Sequence, residues 1–201
     1  MKKGESLQLT DGKGHSTTAE IVNDHRKKCV VRIQGIIDRE PESGKVTIGI
    51  SLMKNSSRFE WFLEKATEIG VSEIITLICA RTEKEKFRID RMQNILISAM
   101  LQSQQCWLPT LHEPISFDQG VINATHQQKF IAHCIEDEKK NLSDFNYEFM
   151  PDRIILIGPP GDFTPEEVKL AIQHHFEPVS LGKTRLRTET AGVVAAAMLV
   201  Q

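Results

Sequence analysis

Apolar and polar residues alternate through the first fifty positions, and from residue 54 the apolar ones recur every three to four residues instead. The alternation in "SLQLT" (6–10) predicts a strand, because successive strand side chains point to opposite faces. "DGKG" (11–14) predicts a turn, since Asp-Gly supplies the backbone angles a tight hairpin needs. "TTAEIV" (17–22), "KCVVRIQGI" (28–36) and "KVTIGISL" (45–52) predict further strands. So few strands are marginal alone. The segment starts at Met1 with "KKGE" and no earlier strand, so this β unit is expected to be incomplete at its N-terminal edge.

The helical spacing begins in "NSSRFEWFLEKATEIG", where Phe59, Phe62, Leu63, Ala66 and Ile69 share one face. Ser57 and Glu60 are spaced as a capping box, and Gly70 as the stop. A buried strand is expected at 72–80, a helix at 88–105, and strands at 129–136 and 152–158. "FTPEEV" is a helix start: Thr164 as cap, Pro165 at the first helical position, Glu167 closing the box, and Phe163 with Val168 as a hydrophobic staple. A strand at 177–182 and a helix at 189–201 complete the chain. Alternating strands and helices with continuous apolar strands predict an α/β fold whose parallel sheet is covered on both faces.

Composition adds exclusions. The 201 residues are 40% apolar and 26% charged, which is globular material. A net charge of −2 gives no global basic field, although a local basic face fits inside a neutral total. No run reaches the length of a membrane span and no signal-peptide pattern opens the chain, so a cytoplasmic protein away from membranes is expected. The four cysteines form no CxxC pair, and no metal ligand set is expected. Cys29, Cys79 and Cys134 read as small core residues, His133 as a core histidine, and His174 and His175 as surface residues.

Two loops stand apart. "IGPPGDF" (157–163) and "LGKTRLRTETA" (181–191) each follow a strand and precede a helix, where ligands of open α/β sheets bind. "LGKT" is not a phosphate-binding P-loop, because that motif needs glycine where Glu177 stands. "GPPG" alone is an ordinary strand-to-helix turn pattern. An enzyme using that loop for a nucleotide phosphate is a rival reading. Residues 191–200 carry no polar side chain, so the last helix is expected to be buried, in part against a second subunit, and to fix its mouth rigidly.

Four segments, "EKATEIGVSEI", "SAMLQSQQCWLP", "LIGPPGDFTPEEV" and "FEPVSLGKTRLRTETA", resemble in order and spacing the RsmE-type RNA methyltransferases of the SPOUT class. The "TDGKG" segment resembles the end of that family's N-terminal barrel. The resemblance implies a SPOUT-type parallel sheet with a C-terminal trefoil knot over residues 51–201, preceded by a partial PUA-like, RNA-binding β-barrel over residues 1–50. It implies a homodimer that binds S-adenosyl-L-methionine and methylates uridine N3 in 16S RNA of the small ribosomal subunit. Two departures are visible: Pro160 stands where the family usually has glutamate, and the expected start of the barrel is absent. A catalytically inactive RNA-binding relative is the alternative.

On that resemblance, Leu156, Ile157, Gly158, Gly161, Leu181, Gly182, Leu186, Thr190 and Ala191 are expected to hold the cofactor. Uridine N3 carries a proton, so a base or an anion-stabilising cation is needed beside it. Arg187 and Glu189 are the catalytic candidates, with capping of the last helix as the structural reading of Glu189. Lys54, Arg58, Arg81, Gln102 and Arg185 are expected to meet RNA, with Lys65, Lys84 and Lys86 extending the basic surface.

Overall fold

The computed structural model describes residues 1–40, 44–83, 86–135, 138–145 and 152–200; of the sequence expectations, Lys84, Glu136 and Gln201 fall outside them. A small antiparallel sheet comes first. Strand β1 (Ser6–Thr10) pairs with β2 (His15–Asn23), which also pairs with β3 (Val30–Ile33) and β4 (Ile37–Asp38). The Asp-Gly turn works as expected: Asp11 accepts the amides of Lys13 and His15, and its carboxylate meets the His15 ring at 2.6 Å. Those contacts, the histidine first, hold the Asp11 carboxyl down at about 2. Cys29 is exposed beside β3, not buried in a core, because this sheet is too small to cover both faces.

The strand expected at 45–52 does not join that unit. As β5 (Val46–Ser51) it lies fully buried within a second sheet. There follow helix α1 (Ser56–Ile69), strand β6 (Glu73–Ile78), helix α2 (Ile89–Gln102), strand β7 (Thr110–Ser116), helix α3 (Phe117–Ile122) and strand β8 (Gln128–Ala132). After them come β9 (Lys140–Asn141), a 3₁₀ turn (Leu142–Asp144), β10 (Arg153–Ile157), α4 (Pro165–Gln173), β11 (Glu177–Ser180) and α5 (Thr188–Leu199). The seven strands stand in the order β7-β6-β5-β10-β8-β11-β9, and every neighbouring pair is parallel.

Local chemistry explains most of the boundaries. Asn55, not Ser57, caps α1: its side chain accepts the Ser57 amide at 3.0 Å, one residue pair ahead of the expected box. Gly70 ends that helix at φ 104°, its amide reaching back to Ala66 and Thr67. Thr164 and Glu167 form both halves of the expected capping box. The segment 107–122, which carries no clear period, becomes β7 and α3. Pro114 is tolerated in β7 because that strand is at the sheet edge. The Ser116–Gln119 box starts α3.

Both faces of the sheet are covered. Phe59, Phe62, Leu63, Leu96, Ala195 and Leu199 pack over one, while Phe117, Phe163, Val168 and Ala171 pack over the other. Gly192 brings α5 down onto α1 and β5, so closely that a Cβ there would meet Phe62 at 2.6 Å and Ile50 at 2.8 Å. The two sheets are joined where Gly14 packs under Trp107, with the Gly14 amide donating to Cys106 and the Leu108 amide to Gly12.

Two outcomes follow. Gly192→Ala should cost about 1–3 kcal/mol by overpacking, read as a lowered urea midpoint with unchanged slope. His126 is largely buried at the N-terminal end of the sheet, 2.9 Å from Thr47 Oγ1, and burial pushes its pKa below the usual 6.5 against the pull of Glu73 and Asp152. The unfolded chain therefore takes up that proton first on acidification. Stability should be full above pH 6.5 and fall as pH drops below it. His126→Gln should flatten that slope in thermal melts.

Candidate active site

Strands β10 and β11 lie on either side of β8 and run in the same direction, so their C-terminal ends deliver two loops to one end of the sheet. Between the loops is a crevice of about 430 Å³. Residues 157–162 form one wall, residues 185–189 and Ala191 form the other, and Ala132 at the end of β8 and Cys134 just beyond it close the floor. This volume suits a small-molecule ligand.

Each loop is held by its own chemistry. In the first, Gly161 and Asp162 both lie at positive φ, 97° and 72°, and the Asp162 amide closes a turn onto the Pro159 carbonyl at 2.9 Å. In the second, the Ser180 hydroxyl accepts the Gly182 amide at 3.2 Å while donating to the Gly182 carbonyl at 3.0 Å. Gly182 turns at φ 126°, a conformation that favours glycine. The chain then enters α5 at Arg187, whose carbonyl accepts the Ala191 amide at 2.7 Å and whose side chain makes no cap.

Of the residues expected to hold a cofactor, Ile157, Gly158, Gly161, Leu186 and Ala191 line the crevice. Leu156 does not: it is fully buried on the opposite pleat of β10, against Gly49. Leu181 packs on the core behind its loop, and Gly182 and Thr190 stand outside the lining. Arg187 and Glu189 both face the crevice, Arg187 exposed and Glu189 buried. Glu189 sits in the first turn of α5, where the helix dipole favours a carboxylate, and Arg58 Nε approaches its Oε1 at 3.6 Å.

The expected RNA contacts have varied places. Arg58 and Arg185 border the crevice. Arg81 lies over backbone carbonyls of the 161–163 segment, and Lys54 pairs with Glu83 at 2.6 Å. Gln102 borders a separate open groove between α1 and α2. Asp162 and Thr188 also line the crevice, each inside one of the two loops marked in the sequence, though neither was given a ligand role there. Cys134 and Ala132 were missed; a strand-end rule extended to β8 would have found them. His133 is buried as expected, with Lys139 donating to its carbonyl at 2.7 Å. Among the described residues, no group of three acidic, histidine or cysteine side chains could hold a metal ion.

The thiols differ sharply. Cys79 is buried, and desolvation, reinforced by the nearby Glu167 charge, pushes it up to about 12. Cys134 is exposed at the crevice floor, where the strand ends earlier than its apolar run suggests. Alkylation at about pH 8 should modify Cys134 and Cys29 and spare Cys79, as peptide mass spectrometry would read.

Residues 40–200 match the RNA methyltransferase domain family. A curated relative from Synechocystis, Ribosomal RNA small subunit methyltransferase E, is 30% identical over 99% of this chain and 67% of its own length. The crystal structure of a probable rRNA-methyltransferase from Porphyromonas gingivalis is 40% identical, with a TM-score of 0.91 over 98% of this chain and 84% of that one. A Ribosomal RNA small subunit methyltransferase E from Neisseria gonorrhoeae, bound to S-adenosyl methionine, is 28% identical with a TM-score of 0.88, covering 98% and 83%. The parallel α/β sheet, the matched domain and these relatives agree with the resemblance seen in the sequence, and the chain belongs to the RNA methyltransferase family.

Proposed function

We propose that this chain transfers a methyl group from S-adenosylmethionine to N3 of a uridine in small-subunit ribosomal RNA, and that the crevice between the 157–162 and 185–191 segments is where it does so. The observation that carries this reading is the convergence of the two strand-end loops on one small-molecule-sized space. The donor set suits the cofactor's mixed charge. Glu189 and Asp162 can face its cationic centres, arginines 58, 185 and 187 its carboxylate or an RNA phosphate, and Ile157, Leu186 and Ala191 its apolar ring surface. When bound, the cofactor supplies an electrophilic methyl carbon on a sulfonium.

The chain's own residues then have defined tasks. The two loops hold donor and acceptor in line, which converts a bimolecular step into a positioned one. Arg187, exposed at the N-cap of α5, is placed to stabilise negative charge as the uridine N3 proton passes to solvent water. Glu189, held by the first turn of α5 and by Arg58, orients that end of the site. Pro160, exposed on the rim, leaves the flanking Gly158 and Gly161 in the lining and so is compatible with activity.

Finer features belong to the same proposal. The insertion of β10 between β5 and β8, with α5 returning to pack on β5 and α1, supports a trefoil-knotted chain end. The small sheet supports a partial PUA-like, RNA-binding unit. Ile97 and Leu101, exposed one turn apart on α2, support pairing with a second copy. No described helix is long and apolar enough to cross a membrane, and ribosomal RNA as substrate supports a cytoplasmic location.

Calorimetry should show S-adenosylmethionine binding, with no competition by ATP; an inactive relative would bind no donor. Arg187→Ala should lower methylation at least about a hundredfold while leaving the melting temperature unchanged, because the side chain is exposed and uncapped. Mass-spectrometric mapping of ribosomal RNA from cells lacking the protein should show one uridine without its N3 methyl group. Near-wild-type turnover of the variant, or an unchanged RNA, would contradict the assignment.

A further inference from the structure

The 158–163 loop closes one turn by itself, the Asp162 amide on the Pro159 carbonyl, and is tied further from outside. Asp162 at φ 72° occupies the left-handed region that an L side chain avoids, next to Gly161 at 97°. Two groups from outside the loop hold the pair there, the Cys134 amide and the Arg81 guanidinium, and Glu167 fixes the residues that follow. One Asp162 oxygen accepts the Cys134 amide at 2.6 Å, while the other accepts the Phe163 amide at 2.9 Å. Arg81 Nη1 donates to the Gly161 carbonyl, with the Phe163 and Asp162 carbonyls at 3.4 and 3.5 Å. Glu167, 8% exposed, divides its carboxylate. Its Oε2 accepts the Thr164 amide at 2.8 Å inside the capping box, and its Oε1 accepts the Ala80 amide at 2.8 Å, 87 residues away in sequence.

A capping box uses only one oxygen of its glutamate. The second oxygen ties the first turn of α4, directly after the loop, and Arg81 ties the loop itself, to the segment that follows β6, residues 79–83. That segment is in turn fixed to the sheet. Thr82 Oγ1 accepts the Cys79 amide at 2.8 Å and meets Ser51 Oγ, at the end of β5, at 2.8 Å. Neither Arg81 nor Glu167 lines the crevice, so both act on it only through the loop they hold.

We infer that residues 79–83 are a strap on the donor-binding loop, and that Arg81 and Glu167 are positioning residues for the methyl donor rather than contacts to RNA. This rests on the methyl-donor reading of the crevice. Removing the Arg81 guanidinium frees the carbonyls of the 161–163 segment, so the Gly161–Asp162 pair relaxes from the conformation that shapes the wall. A preorganised site loses affinity when its supporting groups are removed.

The test is calorimetric titration of the full chain with S-adenosylmethionine, paired with RNA binding measured against salt. Arg81→Ala should weaken donor binding about tenfold and raise its KM more than it lowers kcat. The melting temperature should stay within a few degrees, since the side chain is at the surface. Arg81→Lys should recover part of the affinity, because the shorter side chain brings a single cationic nitrogen towards the same carbonyls that Arg81 Nη1 meets. Glu167→Gln should weaken donor binding in the same direction, since an amide oxygen can accept at only one of the two sites. If the variants bind donor within twofold of wild type, the strap is wrong. If Arg81→Ala instead lowers RNA affinity and reduces the salt slope by about one with donor binding intact, Arg81 is a phosphate contact and the inference falls. If the wild-type chain binds no donor, the reading of the crevice itself fails, which is a distinguishable result.

Discussion

Gly192 lets α5 approach Phe62 and Ile50 more closely than any other residue would, and the geometry of the crevice depends on that contact. A helix packed so tightly cannot roll or slide by a fraction of a turn without collision, because protein interiors are filled as densely as crystals of small molecules. Its first turn carries Thr188 and Glu189 into the crevice wall, with Arg187 just ahead of it. Apolar packing at one end of the helix thus fixes polar groups at the other. The dense charge and hydroxyls of residues 183–190 stand directly before the apolar run for this reason.

The opposite wall uses the opposite strategy. The 158–163 loop contains no large anchor except Phe163, which is buried against Phe117 with ring centroids 5.2 Å apart. Its backbone lies in conformations that need outside support, and polar contacts from Arg81 after β6 and Cys134 after β8 supply it. One wall is held by dispersion and close packing, the other by charge-assisted hydrogen bonds. The second kind is sensitive to single side chains, since each carboxylate or guanidinium holds two or three backbone groups at once.

Electrostatics sharpen the contrast between the ends of the sheet. At the C-terminal end, arginines 58, 185 and 187 surround Glu189 and Asp162, a mixed-charge site open to solvent. At the N-terminal end, Glu73 meets His112 at 2.6 Å and Thr47 at 2.8 Å, with burial favouring the neutral form of His126. That cluster secures the starts of β5, β6 and β7 and makes no contribution to the crevice. Function and stability are separated along the strand axis, as expected where all strands run parallel and their C-terminal ends meet at one face.

The sequence by itself determined the helices α1, α2, α4 and α5, the buried strands, and the two loops at the ends of β10 and β11, because period, caps and glycines are encoded within a few residues of one another. The family likeness was legible for the same reason, resting on contiguous motifs. Tertiary structure alone decided the rest. Strand β5 reads as a neighbour of the first four strands, yet it pairs with β6 and β10, since strand partners are chosen by long-range burial and not by adjacency. Leu156 belongs to the same loop-bearing strand as Ile157 but points to the other face, a distinction of pleat that needs the sheet to be oriented. Arg81 and Glu167 could not be tied to the donor loop from spacing, because residues 80 and 161–167 come together only when β6 and β10 flank β5 in one sheet.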